Sequence, residues 1–397
     1  MTNPIQPTKC KINELTIKGV GCLRHLAKLS VYETVCKPYL TAKLVITDSN
    51  NILLNLALEK GDLISFSFFA PPTNRTYEAT LKVLAINGNE SAKNLRSEIY
   101  SIDLIGNEFY TDRASMVQKS FKGVPGTGAI QSIHSQYFDT ALNIIAGSLG
   151  PIGLNNPHIT NSTKPFTAIN DIKKRLTYGQ FKSGSTLYFR DRDGHVLAPL
   201  EALFTQASAQ ESFIQKATWG AHWTDIFNSY NAIIGVRVEA DQNRSTGKDV
   251  SSVASQGKVT FDSRTMQKTV QLAKNFGASI GAAGGLASIL GGEQNFMTMD
   301  TDHQSASTDP QMKAEAERFF SSNARSGPMI TFKVPLQSGI NCTVGKGVYC
   351  KLIPPIGDLN SSGQDMSGNY LVTDLVHEIA RDSQAENGTT TMKAIKV

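Results

Sequence analysis

Charge is scarce in this sequence. Asp, Glu, Lys and Arg make up 18% of its 397 residues, and the formal net charge is only +5. The basic residues are scattered, so the polybasic footprint of a nucleic-acid binder is missing and no specific nucleic acid is expected as a partner. Cysteine is scarce as well. Cys10, Cys22, Cys36, Cys342 and Cys350 are odd in number and form no Cys-x-x-Cys pair, which argues against a disulfide framework or a zinc knuckle. Reduced thiols are the simpler reading. No run of 18 or more strongly apolar residues marks a membrane-spanning helix. Met1 to Lys11 is polar, so no secretory signal peptide is expected there.

What is present suits a folded chain of several units. Hydrophobic residues reach 40%, and the length calls for two to four domains. Residues 11–110 alternate as short strands. Thr41–Thr47, Ile52–Leu58, Leu63–Phe69, the run containing Tyr77, Ala79, Leu81, Val83 and Ala85, and Glu98–Gly106 are predicted strands, and spacing of this kind implies a barrel or sandwich. Gly123–Gly128 resembles a phosphate loop only superficially, because the Gly-Lys-Ser/Thr ending is missing; it reads as a loop before a helix. Ile130, Ile133, Tyr137, Ala141, Leu142 and Ile145 then predict one helical stripe, read as a core face.

Further along, Trp219 and Trp223 sit four apart, with Phe213 and Phe227 nearby, a spacing that suits one helix face and reads as core or interface anchors. Asn231–Glu239 and Lys258–Asp262 read as strands, with Asp241–Ser255 a polar loop between them. Residues 265–308 contain an uncharged, small-residue run from Phe276 to Gly292. Its glycines weaken any helix, so packing against a neighbouring subunit is favoured over contact with a membrane. Asp309-Pro310 is a good helix start. Ile330–Val334, Val348–Ile353, Asn369–Ile379 and Thr389–Lys396 close the chain as strands.

No catalytic constellation is legible. His134 lies in an apolar helix, His195 follows a turn and His377 sits on a strand; none has a histidine partner three or four residues away. Asp191-x-Asp193-Gly194 begins like a calcium loop, but its glycine comes too early and no Glu follows at the twelfth position. A hairpin turn is the better reading. No catalytic, cofactor-binding or metal-binding residue is assigned and no enzymatic activity is expected, although a carboxylate pair for glycoside hydrolysis has no linear signature.

The most specific stretch is Pro165–Phe204. Phe166, Ile169, Ile172 and Leu176 predict a helix; Leu187-Tyr188-Phe189-Arg190 and His195–Leu197 predict a hairpin around Asp193-Gly194; Pro199-Leu200-Glu201-Ala202-Leu203-Phe204 closes the unit. This arrangement resembles the middle domain of the baseplate hub protein of contractile-tailed phages, which is related to the hub portion of type VI secretion spikes. The segment from Gly368 to His377 resembles the closing strands of that family. The resemblance implies an α+β, mainly β chain: two tail-tube-like β-barrel domains with smaller α+β modules between and around them. Residues 1–115 would be the first barrel, 116–210 a helical link and central module, and 211–264 the start of the second tube-like region. Residues 265–308 would be an insertion, and 309–397 a helix with the closing strands of the second barrel.

The resemblance further implies a homotrimeric ring in the virion tail baseplate, assembled in the host cytoplasm. A central spike protein would lie below it and the tail tube or a tube-initiator protein above, with the tape measure and baseplate wedge proteins as further candidates. The alternative function is a tail-associated cell-wall hydrolase or its carrier.

Overall fold

The structure is a computed structural model, and it describes residues 8–48, 51–71, 73, 75–91, 98–121, 124–145, 149–150, 158–173, 177–178, 186–207, 211–215, 232–239, 257–262, 267–272, 296–298, 329–352, 367–381 and 386–397. The N-terminal region supplies β1 (Lys11–Ile17), β2 (Val20–Gly21), β3 (Leu26–Thr34), β4 (Thr41–Asp48), β5 (Leu63–Ala70), β6 (Arg75–Ser91) and β7 (Glu98–Ile105), with the helical turn α1 (Ile52–Asn55) between β4 and β5. Alternation drives these strands. In β4, Ala42, Leu44 and Ile46 face inward, while Lys43 faces water. Ile12, Leu15 and Ile17 of β1 and Ile64, Phe66 and Phe68 of β5 fill the same core.

The segment Ile52–Leu58, expected as a strand, instead contains α1. Both carboxylate oxygens of Asp48 accept backbone amides at its start, from Ile52 and Leu53, each at 3.0 Å. That capping holds the chain in a turn, so Leu53 is buried, Ile52, Leu56 and Leu58 pack against the core from its edge, and Leu54 is 77% exposed. Local capping outweighs the apparent alternation of leucines.

The middle of the chain runs α2 (Asn107–Ala114), β8 (Val117–Phe121), α3 (Gly126–Tyr137), β9 (Leu142–Ile144), β10 (Leu149–Gly150), β11 (His158–Thr163), α4 (Pro165–Lys173), β12 (Thr177–Tyr178), β13 (Thr186–Arg190), β14 (His195–Pro199) and α5 (Leu200–Gln206). The predicted helix at Pro165, hairpin and closing helix are all found; Leu176 lies outside the described residues. The single stripe expected from Ile130 to Ile145 is broken. Helix α3 ends at Tyr137, and Leu142–Ile144 becomes a strand parallel to His195–Leu197. Backbone pairing with β14 wins there over helical spacing.

The C-terminal region contains β15 (Ser212–Gln215), β16 (Gly235–Glu239), β17 (Gly257–Asp262), β18 (Gln267–Leu272), β19 (Phe296–Thr298), β20 (Met329–Pro335), α6 (Leu336–Gly339), β21 (Gly347–Leu352), β22 (Gly368–Arg381) and β23 (Glu386–Lys396). The four predicted closing strands match β20 to β23. Phe213 is not on a helix: β15 pairs in parallel with β21, and the Phe213 ring is fully buried 5.6 Å from that of Phe332. Trp219, Trp223, Phe227, the loop 241–255, the run 276–292 and the helix start at Asp309-Pro310 lie outside the described residues. Strands β18 and β19, within the stretch 265–308, flank β17 in a separate three-stranded sheet.

One large, mainly antiparallel sheet joins the two ends of the chain, in the order β16-β20-β23-β22-β3-β4-β7-β6-β5-β1-β2. The expected mainly β class is found, with the strands of both regions continuous in this one sheet. Strand β3 pairs with β22 from Lys28↔Ala380 to Thr34↔Asp374, so N- and C-terminal strands share their hydrogen bonds. No closed barrel is found among the described residues. Outside the ladders, Cys10 N–H donates to Glu386 O at 3.0 Å and Gly388 N–H to Thr8 O at 2.7 Å, which pins the start of the chain to its last hairpin.

Candidate functional site

The hairpin β13–β14 sits where three regions meet. Its turn is built from the chain's own polar atoms. Asp191 Oδ1 accepts the amides of Asp193 at 2.9 Å and Gly194 at 2.8 Å. Both bonds fall on one carboxylate oxygen and close the tip as a turn. Gly194 is required by close approach, because a Cβ there would lie 2.7 Å from the Ala141 carbonyl.

From this turn, side chains reach outward in three directions. Arg190 pairs with Thr34 of β3, and its Nε lies 3.2 Å from Glu108 Oε1 of α2. Arg192 donates to Ile340 O at 2.8 Å, in the turn between α6 and β21. His195 Nε2 donates to Pro38 O at 2.8 Å, in the link between β3 and β4. The central module is therefore tied to both the N-terminal strands and the C-terminal turn.

His195 is fully buried, and its hydrogen bonds settle its tautomer. A carbonyl can only accept, so Nε2 carries the proton and Nδ1 is the acceptor. The Thr140 hydroxyl donates to Nδ1 at 2.6 Å, and His134 Nε2 lies 3.1 Å from the same atom. The ring stacks on Tyr188 with centroids 5.0 Å apart. Burial pushes the His195 pKa down to about 3, and burial also lowers that of His134. Both rings are neutral at pH 7, and His195 has no ring nitrogen left for a substrate. This pair is a structural tie. Linear spacing had no means of finding it, since the two residues are 61 positions apart.

A second buried polar group lies beneath the hairpin tip. The Tyr77 hydroxyl donates to Glu33 Oε1 at 3.0 Å. The Tyr77 ring meets the His377 ring edge-on at 5.4 Å and stacks on Phe68 at 5.1 Å. His377 Nδ1 bonds Thr390 Oγ1 at 2.9 Å. Glu33 Oε2 and His377 Nε2 are buried without a hydrogen-bond partner. Burial raises the Glu33 pKa to about 7, against the Arg192 charge and the Tyr77 bond, which lower it. Burial lowers that of His377 to about 3, with Arg192 acting in the same sense. These residues come from β3, β6, the hairpin tip, β22 and β23, and only the tertiary fold brings them together.

Among the described residues, no group of three or more His, Cys, Asp or Glu is placed to hold a metal ion, and no helix is long and apolar enough to cross a membrane. The geometry is that of a joint: polar groups from distant strands, mostly satisfied by one another, locking the middle module to a continuous sheet.

No protein-family model matches the chain, and no curated protein sequence does so either. Solved structures resemble it. The tail protein from Neisseria meningitidis MC58 aligns with a TM-score of 0.57 at 11% identity, covering 98% of this chain and 97% of that one. The 43 kDa tail protein of prophage MuSo2 from Shewanella oneidensis aligns with a TM-score of 0.52 at 10% identity, covering 97% of each chain. A component of the type VI secretion system of E. coli aligns at a TM-score of 0.47 and 10% identity, over 98% of this chain and 77% of that one, which is too low to establish a shared fold. At these identities the first two likenesses are likenesses of fold, and they run nearly end to end.

Proposed function

We propose that this chain is the structural hub of a phage tail baseplate and carries no enzymatic activity. It would form a homotrimeric ring that joins the six-fold tail tube to the three-fold spike. The observation that supports this reading is the end-to-end match in fold to two tail proteins. It agrees with the resemblance carried by the hairpin and closing strands, which are found where the sequence placed them.

The symmetry logic is simple. Three subunits that each present two similar β-rich halves offer six places to a tube above and three to a spike below. The continuous sheet suits that role, because β3 and β22 make the two halves one body. The polar joint under the hairpin holds the middle module to that body. The partners follow from the same reading: a spike protein below, the tube or its initiator above, and the tape measure and baseplate wedge proteins as further candidates. Function would then lie in extended interfaces and not in a few reactive side chains.

Localisation tests the reading. Tail particles purified from a producing strain should contain the chain, and a tag at its C-terminus should be imaged at the spike end of the tube. Recovery only as free protein, or a tag along the tube or at the head, contradicts it.

A further inference from the structure

The sequence contains two Asn-Gly steps, Asn87-Gly88 and Asn387-Gly388, and the fold treats them oppositely. A glycine after asparagine leaves its backbone nitrogen unshielded by a Cβ, so that nitrogen can reach the side-chain amide carbon and close a five-membered ring. How often it does so depends on how firmly the strand holds both residues.

Asn387-Gly388 is held on every side. It lies in register in β23, with Asn387 opposite Ala380 and Gly388 opposite Ile379. Gly388 is buried, its N–H donates to Thr8 O at 2.7 Å, and a Cβ there would collide with Leu336. The Thr8 hydroxyl donates to Asn387 Oδ1 at 3.2 Å. The nitrogen that would attack and the amide it would attack are each tied to another partner.

Asn87-Gly88 sits where β6 loses its register. Asn87 pairs with Ser101, but the next paired residue is Glu90, opposite Ile99. Gly88 and Asn89 therefore stand against the single Tyr100 of β7, a bulge. Gly88 has a φ of +113°, a conformation that glycine adopts freely and other residues do not. Asn87 and Gly88 are both exposed. From this position the Asn87 side chain ties β6 to β7, because its Nδ2 donates to Asp103 Oδ2 at 2.8 Å.

We propose that Asn87 is a spontaneous deamidation site, and that its conversion breaks the tie between β6 and β7. The Gly88 nitrogen gives its proton to solvent and bonds to Asn87 Cγ. The Cγ–Nδ2 bond breaks, and Nδ2 takes a proton from water and leaves as ammonia. Water then opens the succinimide at one of its two carbonyls, which gives aspartate or isoaspartate at position 87. Water is the only co-reactant, and nothing is oxidised or reduced. The amide that donated to Asp103 becomes a carboxylate, and like charges on facing strands destabilise their pairing. The end of the β6–β7 hairpin is thus firm in a newly made chain and looser in an old one.

Peptide mass mapping of the purified full chain, incubated at pH 6 and at pH 8, tests the site. The peptide bearing Asn87 should gain about 1 Da at least about ten-fold faster than the peptide bearing Asn387, whose step must first open its ladder. The gain should be faster at pH 8, because the Gly88 nitrogen must shed its proton, and an isoaspartate-specific methyltransferase should label the product. Asn87→Gln, with a side chain one carbon too long for the five-membered ring, should stay unchanged. Equal rates at the two steps, faster conversion at Asn387, or no gain at Asn87 overturns the site. Hydrogen exchange of residues 98–103 reads the consequence. Asn87→Asp should exchange faster there than wild type, and Asn87→Asp with Asp103→Asn, which restores an amide–carboxylate pair, should regain protection. Equal exchange in all three overturns the broken tie.

Discussion

Arg190 of β13 and Glu108 of α2 face each other at the seam between hairpin and helix, Nε to Oε1 at 3.2 Å, with side chains only 13% and 12% exposed. The same arginine donates from Nη1 to its neighbour's carbonyl, Asp191 O, at 2.6 Å. A pair this well buried leaves a stranded charge when one member is removed. Glu108→Ala should therefore destabilise the chain by about 3 kcal/mol, whereas Arg190→Met combined with Glu108→Leu should recover most of that loss. Equilibrium denaturation of the two variants is the check. Equal losses in both would mean that packing, and not the ion pair, holds the seam.

Gly345 is the most constrained glycine of the joint. Its φ is +76°, and a Cβ there would lie 2.6 Å from Cζ of the buried Phe189 ring. Gly345→Ala combines left-handed strain with overpacking, for an expected loss of about 2–4 kcal/mol. Phe189→Leu should relieve part of it in the double variant, as a shift in denaturation midpoint. Full additivity of the two substitutions would place the strain elsewhere.

The buried acid and the buried base under the hairpin act on stability with opposite signs. Glu33 rises from its usual 4.5 to about 7, so its contribution is full below 4.5 and is lost as pH climbs through 7. His377 falls from 6.5 to about 3, so its contribution is full above 6.5 and is lost as pH drops through 3. Between 4.5 and 6.5 the two slopes, each about 1.4 kcal/mol per pH unit, cancel. The stability difference between wild type and Glu33→Gln should fall with pH from 4.5 to 7, and that between wild type and His377→Gln should rise from 3 to 6.5. Denaturation series across this range measure both, and a flat difference for either residue would contradict its buried setting.

The small-residue run from Phe276 to Gly292 should serve association and not folding. It has too few large apolar side chains for a core and too little charge for comfortable solvation. Deleting it should leave the thermal unfolding of the main body within a few degrees of wild type, while weakening self-association or binding to the spike. Loss of folding would assign the run to a domain core.

Much of the fold was legible in the sequence because strands and hairpins carry local signals. The alternation in Thr41–Thr47 and Ile330–Val334, the Asp193-Gly194 turn and the Pro165 helix start all act over a few residues. The misreadings share one cause. Asp48 caps a turn that its neighbours' alternation disguised, β14 draws Leu142–Ile144 out of a helical stripe, and β21 draws Phe213 into a strand. In each a hydrogen-bonded contact overrules a periodicity: a local cap at Asp48, and pairing with strands from elsewhere in the fold at β9 and β15. The union of both ends in one sheet was also hidden, because β3 and β22 are separated by most of the chain. The joint was invisible for the same reason. Glu33, Tyr77, Arg192 and His377 are individually unremarkable, and no spacing links them.

The copy number of this chain in the assembled tail tests the central claim most directly. Mass measurement of the purified hub complex, or symmetry determined by electron microscopy of the tail tip, should give three copies around one axis. A single copy, or a ring of six, would contradict a hub that matches a six-fold tube to a three-fold spike.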